Sequence, residues 1–484
     1  MVTAASSAPD ESIKRLLPWV VAVAFFMQSL DTTILNTAVP AIAEAMDVTP
    51  LNVKSVLASY TLSLAVFIPI SGWMADRFGT RRVFAAAIGL FTLGSLLCGL
   101  ATSIEMLVAF RVLQGMGGAM MMPVGRMTLA RTFAKGDLVK AMSFVAIPAL
   151  IGPMIGPVAG GAIVHWLHWS VVFFLNIPVG MLGLYLVLRL LPDYREAETH
   201  PLDYVGLVLF GSGIALLSYV LEVFGDHTHG TGAILGMLAL SAALLAGYGI
   251  RAVSTAFPLL DLTLFRIRTF RAAVSGGFFT RLGLGGIPFL FPLLYQIGLG
   301  FSPIQSGLLV LPQAIASLGM KTFLPVILAR FGYRTVLLVN TVMCGVMIMT
   351  FFTVGAETPI WRIVAQSLVL GFFTSMQYTA MNTLVYADVV GRQTSGASTI
   401  YTTGQQLAIS FGVAGAALVA AFFVPSGNAA ESAAIIHGVQ QAFLVLGILT
   451  VVSAVVFVEL KADDAADVAR RDKPSAAPDH HGEH

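Results

Sequence analysis

Four charged side chains stand where charge is costly: Asp31, Arg111, Arg281 and Lys321 each fall inside a long apolar run. A charge at the centre of a lipid-spanning helix costs ~2.5–3.5 kcal/mol on the insertion scale, so it normally faces a bundle interior or a wet cavity and marks a proton, ion or substrate path. Asp31 is the acid of the four. It lies in LDTTILNTAVP, residues 30–40, among Phe25, Phe26, Met27, Leu30, Ile34 and Leu35. Helical spacing puts Gln28, Asp31 and Leu35 on one face. A carboxyl there can carry a proton or meet a substrate; the blander alternative is a carboxylate held by a structural partner. Arg111 is the candidate cation beside it. Protonation of Asp31 is then set by burial against the pull of that cation. A proton arriving on Asp31 would weaken its hold on Arg111, or on a cationic substrate, and bias an equilibrium between two forms of the protein.

Such groups need helices to position them. The chain has 484 residues, 57% hydrophobic and only 11% charged, against about 25% charged in soluble domains. Fourteen apolar runs of span length follow one another: 16–41, 53–74, 83–101, 106–123, 139–164, 169–191, 204–223, 233–250, 272–297, 304–328, 335–354, 360–386, 398–424 and 435–460. This predicts an all-α polytopic membrane protein; the runs lack the alternation of a membrane β-barrel. An even count puts both termini on one side. Loops on that side carry Lys14, Arg15, Arg77, Arg81, Arg82, Arg330 and Arg334 among many others, while the opposite side has Lys54 and Arg362. Positive residues stay inside, so both termini are expected in the cytoplasm, with the chain multi-pass in the cell inner (cytoplasmic) membrane. Trp19 and Trp73 fall at inner boundaries and Trp166, Trp169 and Trp361 at outer ones, as interfacial aromatics do. A net charge of +2 suggests no nucleic-acid partner. Cys98 and Cys344 lie in apolar runs and read as small buried hydrophobes.

The sequence repeats. DRFGTRRVF at 76–84 returns as ARFGYRTVL at 329–337, an offset of 329 − 76 = 253 residues. Subtracting an inserted pair of spans leaves six spans with their loops. The expected domains are a tail over 1–15, a six-helix bundle over 16–191, a linker with two inserted helices over 192–252, a second six-helix bundle over 253–460 and a disordered tail over 461–484. Two half-bundles with a site between them is a common transporter plan. The same offset sets Arg281 opposite Gln28, so Arg281 is expected to face the central cavity, with a helix-pairing arginine as the alternative. The cavity lining is read as Gln28, Asp31, Asn36, Met120, Met121, Arg281, Tyr378, Asn382, Gln405 and Gln406, although each methionine taken singly favours ordinary packing. The tail ends DHHGEH and reads as solvated rather than metal-binding. No phosphate-binding glycine loop, metal spacing or soluble catalytic domain is present, which argues against an enzyme and against ATP as a direct energy source.

Several stretches carry a family resemblance. GWMADRFGTRR, 72–82, resembles the signature loop of the major facilitator superfamily: Gly72 and Gly79 permit close packing and a tight turn, and Asp76, Arg77, Arg81 and Arg82 cluster at a helix end. RVLQGMGGAM, 111–120, resembles the fourth-span motif linked there to proton coupling. GPMIGPVAGG, 152–161, resembles the fifth-span motif of antiporters, with Gly152, Pro153, Gly156, Pro157, Gly160 and Gly161 shaping a bent, closely packed helix. LDTTILNTAVP, WSVVFFLNIPVG at 169–180 and the two inserted spans resemble the 14-span drug–proton antiporters of the EmrB/QacA type. The chain departs from that pattern in three places. The arginine usual between two tryptophans is missing from Leu167, His168, Trp169 and Ser170; the second half has no counterpart of Arg111; and Ala329 stands where Asp76 stands.

The resemblance implies a major facilitator fold and proton-coupled efflux of small amphipathic or cationic drugs by alternating access. The proton gradient supplies the energy, no cofactor or metal is needed, and the protein works as a monomer. Asp31 and Arg111 are then the proton-coupling pair. Gly72, Asp76, Arg77, Gly79, Arg81, Arg330 and Arg334 form a cytoplasmic gate. Rival readings are a carrier or exporter of one endogenous metabolite, a channel, and a sensor on a transporter scaffold.

Overall fold

The computed structural model describes residues 11–133, 135–196, 199–223, 230–389, 393–423 and 432–465. Expectations for the ends of the two tails and for the side chain of Lys321 lie outside the described residues. Helices α1 (Glu11–Ile34), α2 (Lys54–Phe78), α3 (Thr80–Gly99), α4 (Ile104–Thr132), α5 (Lys135–Trp166) and α6 (Asn176–Leu190) come first. A hairpin of α7 (Tyr204–Val223) and α8 (Thr231–Ser254) follows. Helices α9 (Arg268–Gly285), α10 (Pro303–Thr350), α11 (Ile360–Leu384), α12 (Thr394–Phe422) and α13 (Ser432–Ser453) complete the chain. No strand occurs among the described residues. Among the described residues, eleven helical segments are long and apolar enough to cross a bilayer.

Two glycines set the folding pattern at the repeat. Gly79, with φ 96°, breaks the chain between α2 and α3. Gly332, with φ 70° and ψ 163°, interrupts α10 and divides it into two rods, so thirteen labelled helices give fourteen rods. Left-handed backbone at these φ values strains any residue with a Cβ, and both glycines occupy the same place in the repeat. The start of α10 is fixed by Ser302, whose side chain accepts from the Gln305 amide while Gln305 caps back, with Pro303 at the first helical position.

One boundary differs from expectation. The fourth span does not stop at Pro123 but runs through it to Thr132. A proline inside a membrane helix forfeits one backbone hydrogen bond, and neighbouring helices make up for it. Arg126 and Arg131 therefore ride on the last turns of α4 rather than in a loop.

Packing separates the ends of the molecule. α1 lies on α5, and α4 lies on α2 and α3; in the second half, α10 lies on α11 and α9 on α12 and α13. The halves meet through α2 against α12 and α5 against α10, and α7 of the hairpin touches both α2 and α12. Away from the termini, one buried cluster joins both halves, running from Leu30, Ile34 and Val53 to Leu284, Phe291, Phe351 and Phe443. On the terminal side the cores are separate: Leu17, Phe84, Val124 and Leu191 in one half, Phe270, Leu337, Leu384 and Phe457 in the other. The far side is sealed across the halves, also by Gln296 Nε2 donating to the Thr37 carbonyl (2.9 Å) and Ser410 Oγ to the Ala58 carbonyl (3.1 Å). A shared core on the far side and separate cores on the terminal side imply that the cleft between the halves faces the termini.

The terminal end of the second half is tied to the chain's close. Arg268 grips Asp464 with two hydrogen bonds, Nε to Oδ2 at 2.9 Å and Nη2 to Oδ1. That hydrogen bonding holds the Asp464 carboxyl below the usual carboxylate range.

Candidate functional site

The site grows from the spacing of the fourth-span motif. Arg111 and Gln114 are three residues apart on α4 and so share a face. Glycines let that helix approach its neighbours: a Cβ at Gly94 would sit 2.7 Å from the Gln114 Cα, and one at Gly115 would sit 2.8 Å from the Tyr60 carbonyl. The result is a compact polar cluster inside the first half. Arg111 Nη1 donates to Asp31 Oδ2 at 2.6 Å, with each side chain only 1% exposed. Asp31 Oδ1 accepts from Gln114 Nε2 (2.9 Å) and Asn176 Nδ2 (3.0 Å). Both amides also donate to Ser95 Oγ, at 2.7 and 3.2 Å. Arg111 reaches Gln114 Oε1 (2.6 Å) and the Val56 carbonyl (3.4 Å) and stacks its guanidinium 4.1 Å from the centre of the Tyr60 ring.

Chemically this is a neutral unit: one cation, one anion and amides that satisfy the remaining lone pairs. Removing the negative charge leaves a guanidinium buried among neutral dipoles, a costly state that rearrangement would relieve. Protonating Asp31 does that without breaking a covalent bond.

The second half has no equivalent ion pair among the described residues. Arg281 is buried (4% exposed). Its Nη2 donates to Tyr401 Oη at 3.0 Å and its Nη1 to the Gly277 carbonyl at 3.3 Å, while the guanidinium lies over the rings of Tyr378 (4.5 Å) and Tyr401 (5.2 Å). Half-buried Gln405 donates to the exposed Asn382 at 3.2 Å. Gln406 is half-buried on the next position of α12. These residues share the α9–α11–α12 wall. Gln28 lies buried on α1 one turn before Asp31, and its Oε1 has no partner among the described residues. Asn36 turns back onto the Thr32 carbonyl (3.4 Å). Met120 and Met121 do not join this wall: both pack in the core of the first half, Met121 completely buried. Their neighbours on α4 turn them inward, and the ordinary packing of each methionine describes their position.

The fifth-span glycines form the seam of α5. Gly152 and Gly156 leave room for Ser29 and Thr33 of α1, Gly160 meets the Ile34 carbonyl, and Gly161 meets the Pro303 carbonyl at the start of α10. Pro153 is exposed and Pro157 buried, its carbonyl against Gly307 of α10. α5 thus packs at once on the helix that carries Asp31 and on the opposite half.

The signature loop engages its own half. Asp76 accepts from Arg131 of α4 at 2.8 Å, and Arg131 also holds Glu196 at 2.7 Å. The strand of chain after α6 lies along this loop: Thr80 N bonds the Tyr194 carbonyl (3.0 Å), Arg81 N bonds Asp193 Oδ1 (3.1 Å), Arg195 Nε bonds the Arg77 carbonyl (2.8 Å), and Trp73 Nε1 bonds the His200 carbonyl (2.8 Å). A Cβ at Gly79 would collide with the Asp193 carboxylate, whereas one at Gly72 would meet Met127 of α4 at an ordinary 3.8 Å. On the repeat, Arg330 is exposed and lies over Phe331, Arg334 is half-buried, and Gly332 faces the Ala462 carbonyl.

Comparison with known proteins decides the family. A model described as Major Facilitator Superfamily matches residues 21–413 and, in a second match, 273–480. The chain belongs to the Major Facilitator Superfamily. It is a multi-span membrane transporter rather than an enzyme, and the small-molecule transport of that superfamily fits the two-half architecture. Among curated relatives, "Putative multidrug resistance protein MdtD" of Serratia proteamaculans (strain 568) is 38% identical over 92% of this chain and 93% of its own length. The protein of the same name from Salmonella typhi is 38% identical over 94% and 96%. Solved structures share the superfamily fold at 14% identity. A bacterial homolog of the human lysosomal transporter Spinster, in an inward-facing and unoccupied conformation, aligns with TM-score 0.65 over 97% of this chain and 100% of its own. A D-xylose-proton symporter aligns with TM-score 0.66 over 93% and 99%.

Three members of the buried cluster had no role in the sequence reading: Ser95, Gln114 and Asn176. Gln114 and Asn176 both lie inside quoted motifs, RVLQG and LNIPVG. The available signal was an amide in the middle of an apolar span, which in this superfamily fold comes to rest beside the one buried acid of the cluster.

Proposed function

We infer that this transporter is a proton-coupled antiporter that exports small amphipathic compounds, drugs among them, across the cytoplasmic membrane by alternating access. The observation that carries the reading is the buried Asp31–Arg111 pair, whose carboxylate accepts from three side-chain donors and which is charge-neutral as a unit. Its balance depends on a single proton. In this account Asp31 is held by three donors while the cleft opens toward the termini, which the Lys/Arg distribution sets in the cytoplasm. A proton entering from outside reaches Asp31 in the outward-open form, neutralises it, frees Arg111 from its partner and favours the cytoplasm-open form; release of that proton inside restores the pair. α5 links this event to the other half, since its glycine seam touches α1 and α10 together. The Asp76–Arg131–Glu196 bridge steadies the cytoplasmic end of the first half in the form seen here. The names of the curated relatives support drugs as substrates.

The test is proton movement on substrate addition. Purified protein in vesicles loaded with a pH-sensitive dye is offered a panel of amphipathic fluorescent compounds, cationic and anionic. Coupled antiport gives proton flux with each transported compound and none without. Compound movement that never changes internal pH would refute the coupling.

A further inference from the structure

Arg281 is a buried charge that the proton-coupling account leaves unused. The two buried arginines among the described residues make a controlled comparison. Arg111 has a carboxylate at 2.6 Å and an amide oxygen beside it. Arg281 has two tyrosine rings, one hydroxyl and one backbone carbonyl. Among the described residues no carboxylate lies within 4.0 Å of it. The first site therefore sums to zero charge and the second to +1. Tyrosine faces and hydroxyls stabilise a cation without cancelling it, and an uncompensated charge at this depth marks a functional site by default.

Position says what would complete it. The side chain runs back along α9 toward Gly277, the direction in which the cleft opens. The wall there is neutral and rich in donors: exposed Asn382 and half-buried Gln405, with Tyr378 half-buried above the guanidinium. Asp31, the acid nearest by the repeat, is fully engaged in the other half. A guanidinium flanked by phenols, with a net positive charge and lying near the exposed Asn382 and half-buried Gln405 of the same wall, suits an oxyanion in the plane of the guanidinium fork.

We propose that Arg281 is the receptor for an acidic group, and that the solute this transporter moves is a carboxylate-bearing organic anion. The proposal rests on the transporter reading and narrows its substrates. The carboxylate meets Arg281 from the cleft, while Tyr378 and Tyr401 hold the guanidinium in place and the Asn382–Gln405 pair contacts the solute's uncharged polar groups. A carboxylate about 4 Å from the guanidinium, at an effective dielectric of ~20, gains enough after its own desolvation for a preference on the order of tenfold to a hundredfold over the matching amide.

The test is equilibrium binding without any gradient, so failure of proton coupling cannot be mistaken for failure of this site. Purified full-length protein in detergent is heated in the presence of benzoate, phthalate, succinate and tricarballylate, each beside its carboxamide, and unfolding is followed by tryptophan fluorescence. At least one acid is expected to stabilise the wild type at a concentration tenfold or more below its amide. Arg281→Gln should erase that preference, and Arg281→Lys should retain part of it. Tyr401→Phe, which keeps the ring and removes only the hydroxyl that accepts from Arg281, provides a folded variant with weakened preference. Absence of any acid-over-amide preference in the wild type, or a preference that survives Arg281→Gln, would overturn the proposal.

Discussion

Neutralising both sides of the Asp31–Arg111 pair should cost little more than neutralising one. In Asp31→Asn the new amide must turn its NH2 either toward Arg111 or toward the donors of Gln114 and Asn176, so it meets a donor whichever way it lies. Arg111 then stays buried with only Gln114 Oε1, the Val56 carbonyl and the Tyr60 ring. Arg111→Gln leaves Asp31 ionised against two neutral amides. Breaking a buried pair from one side costs about 3–5 kcal/mol, and charges about 4 Å apart at an effective dielectric of ~20 interact by about 4 kcal/mol. The two single variants should therefore sum to roughly 6–10 kcal/mol, while the double variant costs little more than one of them, a non-additivity of about 3–4 kcal/mol. Unfolding in mixed micelles of detergent and dodecyl sulfate, followed by the fluorescence of the five tryptophans, measures all four corners of the cycle. Single variants that add to within ~0.5 kcal/mol would mean that the two residues do not act as a unit, and the reasoning from their geometry would fail.

Three further outcomes follow from particular contacts. Gly161→Val places side-chain atoms against the Pro303 carbonyl, so the far-side seal should weaken by about 1–3 kcal/mol; the exposed site in Asn382→Cys should then react more slowly with a maleimide, as the cleft spends less time open to the termini. The native Cys98 and Cys344 are buried and give that assay a low background. Glu196→Gln removes one arm of a bridge whose members are 25–53% exposed, so stability in the same unfolding assay should change by less than about 1 kcal/mol. Asp464 has its carboxyl held below the usual range by Arg268; its contribution is present above the unfolded carboxylate value and lost as pH falls through the lowered one, so proteolysis of the segment after Leu460 should accelerate only in acid, and Asp464→Asn should show the acid behaviour at neutral pH.

Hydropathy and spacing carried most of the architecture. The runs became helical rods because each is long enough to bury its own backbone hydrogen bonds, and the repeat marked two breaks correctly, since Gly79 and Gly332 both take left-handed backbone. Asp31 and Arg111 were legible because charge in an apolar span is rare and expensive. The amides that complete their cluster were not, because Gln114 and Asn176 cost little enough to sit in many helices and the chain does not say which one meets the acid. Met120 and Met121 were ambiguous for a related reason: a methionine packs equally well in a core or a cleft, and here both lie in the core of the first half, the packing each favoured singly. The fourth span was cut short at Pro123 because a proline reads as an end, although packed neighbours carry the helix onward. The docking of residues 192–196 on the signature loop joins side chains such as Asp193, Arg195 and Thr80 to backbone groups far away in the sequence, and no spacing in the chain pairs those partners.

The measurement that bears most directly on proton coupling separates exchange from accumulation in proteoliposomes. A fluorescent substrate is followed twice in wild type and Asp31→Asn: once as exchange between equal pH on both sides, and once under an imposed pH gradient. The account predicts that the wild type does both, and that the variant, where folded, retains exchange but no longer accumulates substrate in response to the gradient. Full gradient-driven accumulation by Asp31→Asn would contradict it, and would remove Asp31 from the coupling mechanism.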